Sequence, residues 1–197
     1  MRGARVLDVC TGSGVVAVGA ALGGAAEVVA VDVSLRAVLT AQLNALLNGV
    51  RVDGRRGDLL EPVAGERFDL ITSNPPYLPG PQSLPTHGKR RAWEGGPDGR
   101  AFLDRLIAAA PAYLHPGGVL LLTHSSVCGL ELTSERMRAA GLRPEVLSRH
   151  RGRFGPLLRA RALELEARGL LAPGQREEDI AILKAQRAGP RAEGCGS

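Results

Sequence analysis

Short unbroken apolar blocks alternate along the chain with stretches whose apolar residues recur every three or four positions. The blocks are residues 5–10 (RVLDVC), 28–32 (VVAVD), 68–73 (FDLITS), 119–123 (VLLLT) and 179–184 (DIAILK), with a weaker one near 144–148. Apolar runs of this length without polar alternation are what strands covered on both faces require. Helical spacing marks residues 15–22, rich in small side chains, then 34–48, 100–113 and about 130–140. In the second of these Ser34 stands as a cap, and Leu35, Val38, Leu39, Leu43, Leu46 and Leu47 follow at helical intervals. Strand and helix in alternation predict one α/β domain built on a parallel sheet, spanning residues 1–186.

The breakers sharpen that picture. A short third segment precedes Asp58, so residues 68–73 form the fourth strand, and Asn74-Pro75-Pro76-Tyr77 then forces the chain out of the ladder. Residues 78–99, dense in Pro and Gly, predict a long excursion over the strand ends, and Pro116-Gly117-Gly118 predicts a turn. Within 151–178, Leu157, Leu158, Leu163, Leu165 and Leu170 predict an inserted helix over 156–171, facing solvent or folded back as a cover. Residues 187–197 read as a frayed tail.

Composition narrows the class. At 197 residues, with 44% hydrophobic and 23% charged, the chain is an ordinary globular domain. Its net charge of +5 invites a polyanion, but aromatics at 3% leave no stacking platform for bases. Cys10, Cys128 and Cys195 are widely spaced, suggesting neither disulfides nor a metal, and a reducing cytoplasm is expected. The most apolar stretch, 15–31, is broken by Gly19, Gly23, Gly24 and Glu27, so neither a leader nor a membrane span is expected.

Candidate chemistry begins after the first strand, at Asp8-Val9-Cys10-Thr11-Gly12-Ser13-Gly14. Glycines there let a ligand approach backbone amides at a helix start, and Gly12-x-Gly14-x-x-Ala17 meets the loose dinucleotide fingerprint. The same spacing also serves a tight turn without a ligand. Asp32, closing the second strand, is placed to accept from ribose hydroxyls, or to serve as a turn aspartate before the next helix. Asp58, followed by Leu59, can accept from an adenine amine or simply hold a turn. Asp8 has no task beside a pyrophosphate, yet suits an ammonium group, and an α-amino group beside a nucleoside is the anatomy of S-adenosylmethionine. At the end of the fourth strand, Asn74 Oδ1 and the Pro75 carbonyl can form a stiff pair of acceptors for a planar –NH2, with Tyr77 packing alongside, or the tetrad can be simply a rigid turn with a buried Tyr.

These residues resemble those of class I S-adenosylmethionine-dependent methyltransferases, and among them the HemK-like protein-glutamine N5-methyltransferases. The resemblance runs over residues 5–148 and resumes at 179–184. It includes the Asp8 to Gly14 loop, Asp32, Gly57-Asp58-Leu59, Asn74 to Tyr77, and the run from Ala92-Trp93-Glu94 to Arg100 preceded by His87-Gly88. The last run is most similar to the short branch that modifies the Gly-Gly-Gln motif of eukaryotic and archaeal class I release factors. The resemblance implies a Rossmann-like, seven-stranded, mostly parallel sheet of order 3-2-1-4-5-7-6, with helices on both faces and an antiparallel last strand. It implies cofactor contacts by Asp8, Gly12, Gly14, Asp32, Asp58 and Leu59, catalysis at Asn74, Pro75 and Tyr77, and a substrate wall of Pro76, Trp93 and Glu94. S-adenosylhomocysteine is then the product, no metal is used, and a release-factor-like protein is the expected partner. An exocyclic base amine, a small molecule, or a module that binds without turnover remain as alternatives.

Three departures stand out. Cys10 occupies a position where many such enzymes have a glycine, and residues 151–178 have no counterpart. The chain also enters its first strand at Arg5 without an upstream helical segment, so an open cofactor cleft is expected.

Overall fold

A computed structural model describes residues 2–81 and 89–189. The tail positions 190–197 and the His87-Gly88 pair lie outside the described residues. Chain order is β1 (Arg5–Val9), α1 (Val15–Leu22), β2 (Glu27–Asp32), α2 (Leu35–Leu47), β3 (Asp53–Arg56), β4 (Phe68–Ser73), α3 (Ala101–Tyr113), β5 (Leu114–Ser125), α4 (Leu130–Ala139), β6 (Leu142–Arg153), α5 (Pro156–Ala160), α6 (Ala162–Ala167) and β7 (Glu177–Arg187). The seven strands form one sheet in the order β3-β2-β1-β4-β5-β7-β6. Neighbouring pairs from β3 to β5 are parallel, and β7 runs antiparallel to both β5 and β6.

Alternation along the central strands sends side chains to two different cores. Val6, Val28 and Ala30 pack with Ala17 and Ala20 of α1, whereas Leu7, Val9, Val29 and Val31 join the larger cluster containing Leu103, Leu106 and Ile107 of α3. Small residues on one face and large ones on the other set helices against both sides of the sheet. β1 sits between β2 and β4, and the register brings Val9 opposite both Val31 and Ser73. The loops after β1, β2 and β4 therefore leave the sheet together at its carboxyl edge, where open α/β sheets bind ligands.

Three elements differ from the pattern-based expectation. β6 and β7 are much longer than the blocks at 144–148 and 179–184, because they pair with each other from Leu142 opposite Arg187 to Arg153 opposite Glu177. Polar diagonal pairs across the strands, such as Arg151 and Glu177, 3.0 Å apart, extend the ladder where hydrophobicity is silent. The expected turn at Pro116-Gly117-Gly118 is absorbed into β5 as an irregularity in register, between Leu114 opposite Phe68 and Val119 opposite Leu70. The single helix expected over 156–171 is two short helices, α5 and α6, broken at Arg161.

Candidate functional site

The glycine loop after β1 is bound to β2. Thr11 donates its amide to the Val31 carbonyl (3.1 Å), Gly12 donates to Asp32 Oδ2 (3.0 Å), and Ser34 donates to Asp32 Oδ1 (2.9 Å). Asp32 thus serves as the turn aspartate the sequence also allowed, while staying half-buried at the strand end with lone pairs to spare. Cys10, Gly12 and Gly14 all have positive φ, at 59°, 55° and 81°. Cys10 adopts the left-handed conformation that a glycine takes without strain. The two glycines differ in purpose. A Cβ on Gly14 would lie 2.6 Å from Ala41 Cβ, so α1 can start there only because that atom is missing, whereas Gly12 faces open space. Gly12 is where a ligand can approach the backbone.

Asp8 is 2% exposed and accepts from Thr11 Oγ1 (2.6 Å) and Thr72 Oγ1 (2.7 Å). Burial pushes its carboxyl above the usual carboxylate range, against the pull of the two hydroxyls. Among the described residues it takes part in no ion pair, so a cationic group on a ligand would supply what the fold leaves out. Asp58 pairs instead with Arg105 of α3 at 2.6 Å. Leu59 beside it is buried with φ 48°. The loop thus presents a carboxylate that would meet an ammonium, a second at a ribose position and an open approach at Gly12, whose own N–H is committed to Asp32, an arrangement that fits S-adenosylmethionine.

The acceptor half begins at Ser73, whose hydroxyl donates to the Val9 carbonyl (2.8 Å) and ties the end of β4 to β1. Asn74 is exposed, Pro75 buried and Tyr77 half-buried. They border a cavity of about 280 Å³, with Trp93, Ser125, Leu158 and Glu178 on its other sides. Burial, then the negative charge of Glu178, raises the Tyr77 phenol above its ordinary value. The tetrad is clamped from below by the run 92–100. Leu78 donates to the Trp93 carbonyl (2.7 Å), and Gly95 donates back to Leu78 (2.9 Å). A Cβ on Gly95 would stand 2.6 Å from the Pro76 carbonyl, and one on Gly99 would run into the Tyr77 carbonyl. These glycines let one loop nest against the backbone of the other. Cys128 Sγ also donates to the Tyr77 carbonyl (3.0 Å). Arg100, 4% exposed, fastens the assembly by donating to the Cys128 carbonyl and Thr133 Oγ1 while pairing with Asp104.

Trp93 reaches the cavity, but Glu94 does not line it. Its carboxylate is 3% exposed and engaged by Arg90 (2.7 Å) and Arg161 (3.4 Å), so it holds the loop to the β6–β7 connection. That connection keeps one face in solvent, with Leu157 47% and Leu163 74% exposed, and its buried face packs on the acceptor side, not over the glycine loop. Phe154, Leu158, Ala162, Leu165 and Leu171 cluster with Leu78 and Trp93, which places α5 and α6 on the acceptor side. Sequence reasoning missed Ser125 and Glu178, whose hydroxyl and carboxylate hydrogen-bond at the cavity wall. No local signal marks either one. Only the antiparallel pairing of β5 with β7 brings the two strand ends together.

Comparison with known proteins agrees with this geometry. Residues 1–90 match the family model described as "Methyltransferase small domain". A Methanocaldococcus jannaschii protein, named as a candidate protein N5-glutamine methyltransferase, is 37% identical over 154 residues, 78% of each chain. The release factor glutamine methyltransferase of Geobacter sulfurreducens is 43% identical over 126 residues, 60% of this chain and 44% of that one. The chain therefore spans about half the length of that bacterial relative. Among solved structures, the E. cuniculi Mtq2–Trm112 complex, described as responsible for methylating the eRF1 termination factor, superposes with TM-score 0.63 at 21% identity, covering 95% of this chain and 87% of that one. A T. thermophilus 16S rRNA methyltransferase complexed with AdoMet and guanosine superposes with TM-score 0.59 at 21% identity, covering 95% and 38%. At that identity the two structures share the fold alone. The archaeal relative carries the assignment further: this chain belongs to the HemK-like protein-glutamine N5-methyltransferases, within the class I S-adenosylmethionine-dependent methyltransferases.

Proposed function

We propose that the chain methylates the side-chain amide nitrogen of a glutamine in a release-factor-like protein, using S-adenosylmethionine. The observation that carries this reading is the position of Asn74 and Pro75. They stand at the end of β4, tied through Ser73 to the end of β1, and they border a cavity walled by Tyr77 and Trp93. The cavity's volume of about 280 Å³ suits one side chain better than a nucleotide.

Asp8, Gly12 and Asp32 would hold the cofactor, with Asp58 and Leu59 at its nucleoside end. Bound there, it supplies an electrophilic methyl group. An amide nitrogen is a weak nucleophile because its lone pair is delocalised. Asn74 Oδ1 and the Pro75 carbonyl accept its two N–H bonds, fix its plane and stabilise the positive charge that grows on it. Pro75 and Pro76 keep those acceptors stiff, Tyr77 packs against the acceptor, and Trp93 closes the far side.

The E. cuniculi neighbour is a two-protein complex, and this chain has a face available for a comparable partner. Leu35, Leu39, Leu43, Leu46 and Leu47 on α2 are 50–74% exposed and lie beside the edge strand β3. Among the described residues no helix is long and apolar enough to cross a membrane, and a cytoplasmic setting forms part of this proposal.

The test is labelled methyl transfer to class I release factors, followed by mass-spectrometric location of the product. Methyl-glutamine is the expected result. Transfer to a base amine or a small amine, with none to glutamine, would overturn the reading.

A further inference from the structure

Behind the acceptor cavity lies a second hollow of about 700 Å³, lined by Arg151, Arg153, Phe154, Arg159, Arg176 and Glu177 among others. One short segment separates the two: Phe154 and Arg159 face the hollow, and Gly155 to Leu158 between them line the cavity. Arg151 pairs with Glu177 at 3.0 Å, and Arg176 pairs with Glu166. Arg153 and Arg159 are exposed and have no ion pair or side-chain hydrogen bond among the described residues. They bring two uncompensated cations to one concave surface.

β6 leads into this hollow. It is the outermost strand, and among the described residues it is bonded in the sheet only to β7, which leaves its other edge of backbone groups without a ladder partner there. Beyond the irregularity between Val146 and Ser148, Arg149, Arg151 and Arg153 occupy alternate positions and share one face, roughly 7 Å apart. Charges on an edge strand discourage aggregation, and that alone would explain Arg149 and Arg151. It does not explain why the row ends in a hollow that Arg159 enters from α5, next to the place where the acceptor residue must sit.

We propose that the hollow binds an acidic segment of the methyl-acceptor protein, a few residues from the methylated glutamine. This rests on the protein-glutamine reading above. Guanidinium groups offer forked donors that match carboxylates, and an extended segment can use the free edge of β6 as well. A nucleic-acid strand fits less well. Phe154, 4% exposed, presents no face for a base to stack on.

The experiment compares two fluorescent glutamine peptides, one carrying a flanking Asp/Glu run and one with Asn/Gln in its place. Each is followed by binding anisotropy and by methyl transfer. The acidic peptide is expected to bind and to show KM roughly tenfold lower at low salt, an advantage that shrinks as salt screens it. The double variant Arg153→Ala/Arg159→Ala should erase that advantage with kcat and cofactor affinity unchanged, and Arg153→Lys/Arg159→Lys should restore part of it. Equal binding of both peptides to the unaltered protein, or a double variant that keeps the preference, would overturn the proposal. So would an RNA oligomer that displaces the acidic peptide at lower concentration than unlabelled peptide does. If neither peptide is methylated yet the acidic one binds and the double variant loses it, the docking site stands and the glutamine reading fails, so the two are separable.

Discussion

The loop after β1 and the loop after β4 emerge side by side, yet they are held in different ways. The first is fixed mainly by nearby chain: Gly12 reaches Asp32 across 20 positions, and Thr11 reaches Asp8 across 3. The second depends on distant segments: Tyr77 is held by Cys128 across 51 positions, and the cavity wall is closed by Ser125 and Glu178 across 53. The side proposed for the cofactor presents carboxylates and close backbone, which would accommodate one ligand chemistry. The acceptor side uses side chains from several separate segments, and any of them can change without disturbing the cofactor. Two halves assembled this way can keep a common methyl donor while the acceptor pocket is reshaped.

If that division is right, substitutions should affect one half and spare the other. The largest effect is expected at Asn74→Ala, which should lower turnover on a glutamine substrate by about 10² to 10³, by analogy with removal of a donor from an oxyanion hole. Cofactor affinity, followed by calorimetry, should barely move; a matching loss of affinity would mean that the halves are not independent. Gly99→Ala comes next. Its φ of +78° and the nearby Tyr77 carbonyl should together cost about 3 kcal/mol, read as a lower melting temperature and lost turnover with cofactor binding retained.

Asp32→Ala should act on the opposite half, weakening cofactor binding by about 2 kcal/mol, or roughly 30-fold, while acceptor-peptide binding is preserved. The smallest effect concerns Asp8. Its folded carboxyl titrates above the unfolded value, so the folded state retains a proton that the unfolded chain has lost. Stability from this group is full below the unfolded value and declines as pH rises through the folded one. Asp8→Asn should therefore raise the melting temperature of the ligand-free protein near neutral pH and flatten its acidic pH dependence, while weakening S-adenosylmethionine binding. A variant that melts lower and binds equally well would remove Asp8 from the ammonium role.

The arrangement of the half proposed for the cofactor was largely readable from the chain because its determinants are local. Asp8, Gly12, Gly14 and Asp32 lie within 25 consecutive positions, and strand, glycine loop, helix and strand follow in order. On the acceptor side only the stiffest pieces were visible: Asn74-Pro75-Pro76-Tyr77, whose prolines announce a break, and Trp93-Glu94-Gly95-Gly96, whose residue types are unusual together. Their use was not visible. Glu94 is a tether to Arg161, and Gly95 and Gly99 are spaces for the carbonyls of Pro76 and Tyr77.

Residue type and order determined the α/β class, the parallel core and the places where backbone must bend, because apolar periodicity and proline or glycine geometry act over a few residues. Tertiary structure decided where α5 and α6 lie, how far β6 and β7 extend, and that Ser125, Leu158 and Glu178 meet at one cavity. Those outcomes depend on cross-strand pairing and on burial against distant surface, and neither leaves a periodic trace in the segments that take part.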